Sequence, residues 1–151
     1  MSYLETPTRY TTVNNQKIAY RELGEGNSDI PLVMLVHLAA TMDDWDPKLL
    51  DLLAERQHVI VMDLPGVGSS EGSVATTIPG MAHQAAEIIQ ALGYQKVNLL
   101  GLSMGGMIAQ EVVRAYPALV NRLVLVGTGP RGGAGIDAVT GTTFGYMARA
   151  A

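Results

Sequence analysis

The sequence predicts an α/β fold: a mostly parallel sheet covered by helices on both faces. Two observations carry that expectation. The runs Leu32–Val36, His58–Met62 and Arg122–Val126 are apolar along nearly their whole length, without the polar alternation of a strand that has water on one face, and Lys96–Leu100 joins them with Asn98 as its one internal polar residue. Between them lie segments of helical periodicity, long enough to cross back over a sheet and start the next strand in parallel.

Each element has a local reason. Arg9–Val13 and Lys17–Leu23 flank Asn14-Asn15-Gln16, which reads as an N-terminal β-hairpin. Gly24-Glu25-Gly26-Asn27-Ser28-Asp29 is a loop leading to the strand Leu32–Val36. Asp46 is placed as an N-cap and Pro47 as the first helical residue, so a helix is expected through about Glu55, with Leu49, Leu50, Leu52 and Leu53 as its buried stripe. After the strand His58–Met62, Pro79–Leu92 is amphipathic, with Met81, Ala85, Ile88, Ile89 and Leu92 on one face and Gly93 as its stop. Lys96–Leu100 is a strand, Met104–Tyr116 a helix that ends before Pro117, and Arg122–Val126 the last strand. Residues 1–130 therefore read as one core unit, and residues 131–151 as a glycine-rich exit followed by a nearly uncharged tail.

Composition narrows the chemistry. The net charge is −4 and the ten Lys and Arg residues are scattered, so no basic stripe points to nucleic acid or to an anionic membrane. With no cysteine, disulfides, thiolate metal sites and a cysteine nucleophile are excluded. The apolar runs are interrupted by His37, Asn98 and Ser103, so no membrane span is expected, and the N-terminus lacks the pattern of a signal peptide. A cytoplasmic protein without metal or cofactor is the expectation.

The most informative motif is Gly101-Leu102-Ser103-Met104-Gly105, set between the apolar run ending at Leu100 and the helix that follows. A G-x-S-x-G at a strand-to-helix junction forms a nucleophile elbow. The turn is tight enough to demand small neighbours, and it holds the serine Oγ out at the end of the sheet. The first N–H groups of the new helix then lie beside that oxygen and can stabilise a developing negative charge. Ser103 is the candidate nucleophile. The other polar candidates have simpler readings. His58 and His83 are expected to be structural, Asp63 to close a strand and line a pocket, and Asp43, Asp44 and Asp46 to cap and solvate rather than bind a metal. The run from Gly66 to Gly72 is misspaced for a dinucleotide loop.

Taken in order, Leu32–His37 with its loop, Met62-Asp63-Leu64-Pro65-Gly66-Val67-Gly68-Ser69-Ser70, the elbow and Arg122–Thr128 resemble the N-terminal portion of the α/β-hydrolase superfamily, in its esterase, haloperoxidase-like and lactonase branch. The resemblance covers roughly residues 8–135. It implies strands 1–6 of that fold in the order 1-2-4-3-5-6, and a small-molecule ester, thioester, lactone or similar acyl substrate attacked through a Ser103 acyl-enzyme. The oxyanion hole would be formed by the Met104 and Ala39 N–H groups, and the pocket wall by His37, Leu38 and Trp45, with Thr41 and Met42 beside them. Many members carry His-Gly after the third strand where this chain has His37-Leu38; leucine does not take glycine's positive φ without strain, so an ordinary backbone conformation is expected there.

In the family, a helical cap and two further strands bearing the acid and the histidine follow the sixth strand. Here no histidine follows Ser103, and beyond Tyr116 the only carboxylate is Asp137. The triad therefore reads as incomplete in this chain, with the cap and last two strands absent. Two readings stand: a serine hydrolase core completed by a C-terminal half, or a catalytically inert half serving as a binding or assembly module. Either leaves the strand at 122–126 as an open edge for a complementing half or for self-association.

Overall fold

The computed structural model describes residues 2–133. The element order is β1 (Arg9–Val13), β2 (Gln16–Leu23), β3 (Leu32–Leu35), α1 (Pro47–Ala54), β4 (Val59–Met62), α2 (Ile78–Ala91), β5 (Val97–Leu102), α3 (Met104–Ala115) and β6 (Val120–Val126), with short 3-10 turns at Tyr3–Glu5, Met42–Asp44 and Pro117–Leu119. The strands form one six-stranded sheet in the order β1-β2-β4-β3-β5-β6. β1, β2 and β4 pair antiparallel; β4, β3, β5 and β6 are parallel. This is the expected architecture and strand order.

The corrections are at element ends. Gln16 joins β2 opposite Val13, leaving a two-residue hairpin turn in which Asn14 and Asn15 both take positive φ, at 50° and 63°. Asparagine tolerates that region, and the turn's twist matches that of the flanking strands. Helix α2 starts one residue earlier than expected because the Thr77 side chain accepts from the Gly80 N–H and fixes the cap. α1 begins as expected, with the Asp46 carboxylate accepting from the Lys48 N–H at 2.8 Å.

The sheet divides the core by strand parity. Val33 and Leu35 of β3 and Ile60 and Met62 of β4 face α2 and α3, where they meet Ile88, Ile89, Ile108 and Val112. Leu32, Met34, Val59 and Val61 point to the other face and pack on Tyr3, Met42, Trp45 and Leu50. Each such side chain, fully buried, contributes about 1.5–3 kcal/mol. On that second face the cover thins toward β5, whose Leu100 and Leu102 are only half-buried, and β6 lies open. Residues 134–151, which include Asp137 and most of the expected exit segment, lie outside the described residues.

Candidate active site

One residue, Ser103, joins β5 to α3. Its backbone stands at φ 54°, ψ −118°, a region that L-residues rarely occupy. Such a conformation costs on the order of 1–3 kcal/mol and persists only where the surroundings impose it. They do so through both peptide groups. The Ser103 N–H donates to the Val126 carbonyl at 3.0 Å. The Ser103 carbonyl accepts from the Gly106 and Met107 N–H groups at 2.9 and 3.3 Å, and from the Thr128 hydroxyl at 2.6 Å. The end of β6 therefore clamps the elbow from outside.

The glycines in the elbow are there for space. A Cβ on Gly106 would occupy the volume of the Thr128 side chain, and one on Gly105 would run into the Leu35 carbonyl oxygen. The first turn of α3 thus sits backbone to backbone on the end of β3. In a helix interior Gly→Ala normally gains about 1 kcal/mol. At Gly105 the overpacking cost of ~1–3 kcal/mol or more lies against main chain that cannot swing away, and it wins. Gly105→Ala is expected to lower stability by about 2 kcal/mol, seen as a lower urea midpoint at unchanged slope. An unchanged or higher midpoint would show that α3 does not start against β3.

Thr128 ends the Arg122–Thr128 motif, but a polar residue two places beyond an apolar strand carries no sequence signal that it reaches back to the elbow. Thr128→Val should cost about 0.5–1.5 kcal/mol, the net value of one hydrogen bond, because the Ser103 carbonyl keeps its two N–H donors. Thr128→Ser should restore most of it in the same urea titration. A loss in Thr128→Ser with none in Thr128→Val would assign the effect to the methyl group packed on Gly106 instead. The exit segment after β6 is held to α3 further along, by contacts the sequence does not signal. The Gln110 side-chain amide donates to the Gly106 and Gly129 carbonyls at 3.1 and 3.0 Å. The Glu111 carboxylate accepts from Arg114 and Arg131 at 2.7 and 3.0 Å, and hydrogen bonds from these two guanidinium groups hold its carboxyl below the usual range.

On the facing side, the chain leaves β3 through Val36, His37, Leu38 and Ala39. The expectation of an ordinary backbone here needs correcting. Leu38 does avoid positive φ, but Ala39 takes it, at 58°. The left-handed residue is moved one place along, onto the smaller side chain, at roughly 1–2 kcal/mol. The His37 ring lies back over the turn with Nδ1 2.9 Å from the Leu38 carbonyl; since a carbonyl only accepts, Nδ1 is the donor in this contact. Among the described residues, neither the Ala39 N–H nor the Met104 N–H is engaged in a hydrogen bond.

These segments enclose a cavity of about 400 Å³, lined by residues 35–41, the end of β4 at Met62, Asp63 and Leu64, the loop at Gly66, Val67 and Val74, and the helix residues Met81, Met104 and Ile108. His37, Leu38, Ala39, Thr41 and Met104 are thus brought to one place. Trp45 and Met42, expected on the wall, are not. Both are buried on the other side of the sheet in the cluster with Tyr3 and Leu50, because the turn Met42–Asp44 points its apolar residue inward and Trp45 follows it toward α1.

The remaining polar candidates fall into structural roles. Asp63, 2% exposed, accepts from the Met42 N–H at 2.8 Å and from the Ser69 N–H at 3.0 Å, so it ties the two loops that shape the cavity. Asp44 forms a capping box with Thr41, whose N–H holds the Asp44 carboxyl below its usual range, and Asp43 pairs with Arg21 at 2.7 Å. His58 is buried with Nε2 3.4 Å from Glu22. The neighbouring Tyr94 hydroxyl donates to the same carboxylate, and burial together with the Glu22 charge pushes its pKa up to about 12. His83 is exposed and bonded to the Tyr116 hydroxyl. Neither histidine lines the cavity. No helix among the described residues is long and apolar enough to cross a membrane.

A sequence model described as the alpha/beta hydrolase fold matches residues 31–143. The chain belongs to the alpha/beta hydrolase family. Among curated relatives, the (E)-2-((N-methylformamido)methylene)succinate hydrolase of Acinetobacter baylyi is 35% identical over 114 residues, covering 75% of this chain and 42% of that protein. Among solved structures, an alpha/beta hydrolase fold protein from Chitinophaga pinensis superposes with a TM-score of 0.83 at 36% identity, over 86% of this chain and 47% of that one. Est816, described as an N-acyl homoserine lactone degrading enzyme, has a TM-score of 0.73 at 27% identity, over 91% of this chain and 52% of that one. The chain thus spans about two fifths of the length of the curated relative and about half that of these structures.

Proposed function

We propose that this chain carries the nucleophile portion of a serine hydrolase that acts on an ester, thioester, lactone or similar small acyl substrate through a Ser103 acyl-enzyme. The observation that carries this reading is the conformation of Ser103, a strained non-glycine residue held by both peptide groups at the junction of β5 and α3. The Ser103 hydroxyl oxygen attacks the acyl carbon while its proton passes to a general base. The carbonyl oxygen, now an anion, is received by the Met104 and Ala39 N–H groups, which no described residue engages. Collapse expels the alcohol, thiol or ring oxygen, and water then releases the acid. His37 and Leu38 form the wall beside the hole.

We propose that the general base is supplied by further polypeptide: His58 and His83 lie away from the cavity, and His37, which lines it, has its Nδ1 turned onto the Leu38 carbonyl. We place that polypeptide against β6, as a complementing C-terminal half. The outer edge of β6, unpaired among the described residues, also fits the second reading, an inert half that serves as a binding or assembly module. Covalent labelling of Ser103 by a fluorophosphonate separates the two.

A further inference from the structure

The cavity beside the elbow has a chemistry of its own. No lysine or arginine lines it among the described residues, and the one carboxylate at its base, Asp63, is committed to two backbone N–H groups. An anionic substrate group would therefore meet no lysine or arginine, and the one histidine on the wall, His37, has its Nδ1 turned onto the Leu38 carbonyl; burying an unpaired carboxylate is costly. Most of the remaining wall is aliphatic or thioether. Met62, Met81 and Met104 approach from β4, α2 and α3, and such flexible, polarisable side chains adapt to unbranched chains. At roughly 30 Å³ for each water-sized group, about 400 Å³ accepts a ligand of roughly a dozen non-hydrogen atoms.

We infer that this cavity takes the acyl part of an uncharged, medium-length aliphatic substrate and rejects acyl groups that carry a second carboxylate. The inference rests on the proposal that Ser103 presents its hydroxyl to this cavity, and it sets this chain apart from the relative named for a succinate derivative.

Methionine-methyl NMR of the Ser103→Ala protein, which cannot consume an ester, tests it by binding alone. Methyl propanoate, methyl butanoate and methyl hexanoate are titrated beside monomethyl adipate, the ω-carboxylate counterpart of the last. The expected result is saturable shifts at Met62, Met81 and Met104, with Met34 and Met42 on the opposite face of the sheet unmoved. Affinity should rise about fourfold per added methylene, and the adipate should bind at least tenfold more weakly than the hexanoate. Val74→Lys, at an exposed position on the rim, should narrow that gap to about threefold or less. Equal binding of adipate and hexanoate, or shifts confined to Met34 and Met42, would overturn the inference, as would the lack of saturation with any ester. Failure of the nucleophile assignment is read separately, in the fluorophosphonate labelling of the unsubstituted protein.

Discussion

Ser103→Ala is expected to abolish covalent capture by a fluorophosphonate, with the label found on the Ser103 peptide of the unsubstituted protein and nowhere in the variant. The alanine side chain keeps the Cβ and removes only the attacking oxygen, so the elbow's hydrogen bonds, all of them made by backbone or by Thr128, are retained. Stability should therefore hardly change while labelling disappears. In triad enzymes the loss of the serine costs roughly 10⁶ in kcat, the remainder coming from the oxyanion hole and binding. In this chain the rate has a second control. A positioned general base is worth ~10²–10⁴, so labelling of the 151-residue protein should be slower by that factor than in the presence of a polypeptide that supplies the histidine. Labelling of Ser103→Ala at the same rate would remove Ser103 from the chemistry. A folded protein whose Ser103 stays unlabelled with and without such a polypeptide would support the inert reading.

How legible this was depends on the range over which each signal acts. The parallel strands were legible as apolar runs, whereas their order came with the resemblance to the family, and Pro47, Pro79 and Gly93 punctuate the helices within a turn of where the structure puts them. The elbow was legible because the glycines and Ser103 meet a steric demand inside five residues. The contacts that hold Ser103 in its strained conformation were not. Thr128 is 25 residues away and reaches Ser103 only because β6 lies beside β5. Trp45 was misplaced for a related reason: sequence proximity to His37 suggested the pocket, but a 3-10 turn reverses the side-chain direction over three residues. Leu38 was rightly denied positive φ, and the error lay in assuming that the loop could do without it; Ala39 supplies it.

The strand that clamps the elbow also dominates the behaviour expected in solution. β6 pairs with β5 on one side only, and among the described residues nothing pairs with its outer edge. Leu123, Val124, Leu125 and Val126 are 36%, 45%, 44% and 43% exposed. Consecutive residues of a strand point to opposite faces, so apolar surface is open on both sides of the sheet here, next to a row of free backbone donors and acceptors. An edge of that kind, without lysine, proline or a bulge on its last four residues, is a template for another strand. Sedimentation of the purified 151-residue protein is therefore expected to show species heavier than 16.0 kDa, increasing with concentration. Val124→Lys together with Val126→Lys should shift it toward monomer, because adding two like charges on one face of the strand opposes pairing there. A polypeptide that completes the sheet should compete with self-association, so titrating it in would raise both the monodispersity of the complex and the rate of Ser103 labelling. If the protein instead sediments as a compact 16.0 kDa monomer at all concentrations, the edge of β6 is not an open template in solution, and no second chain is needed there.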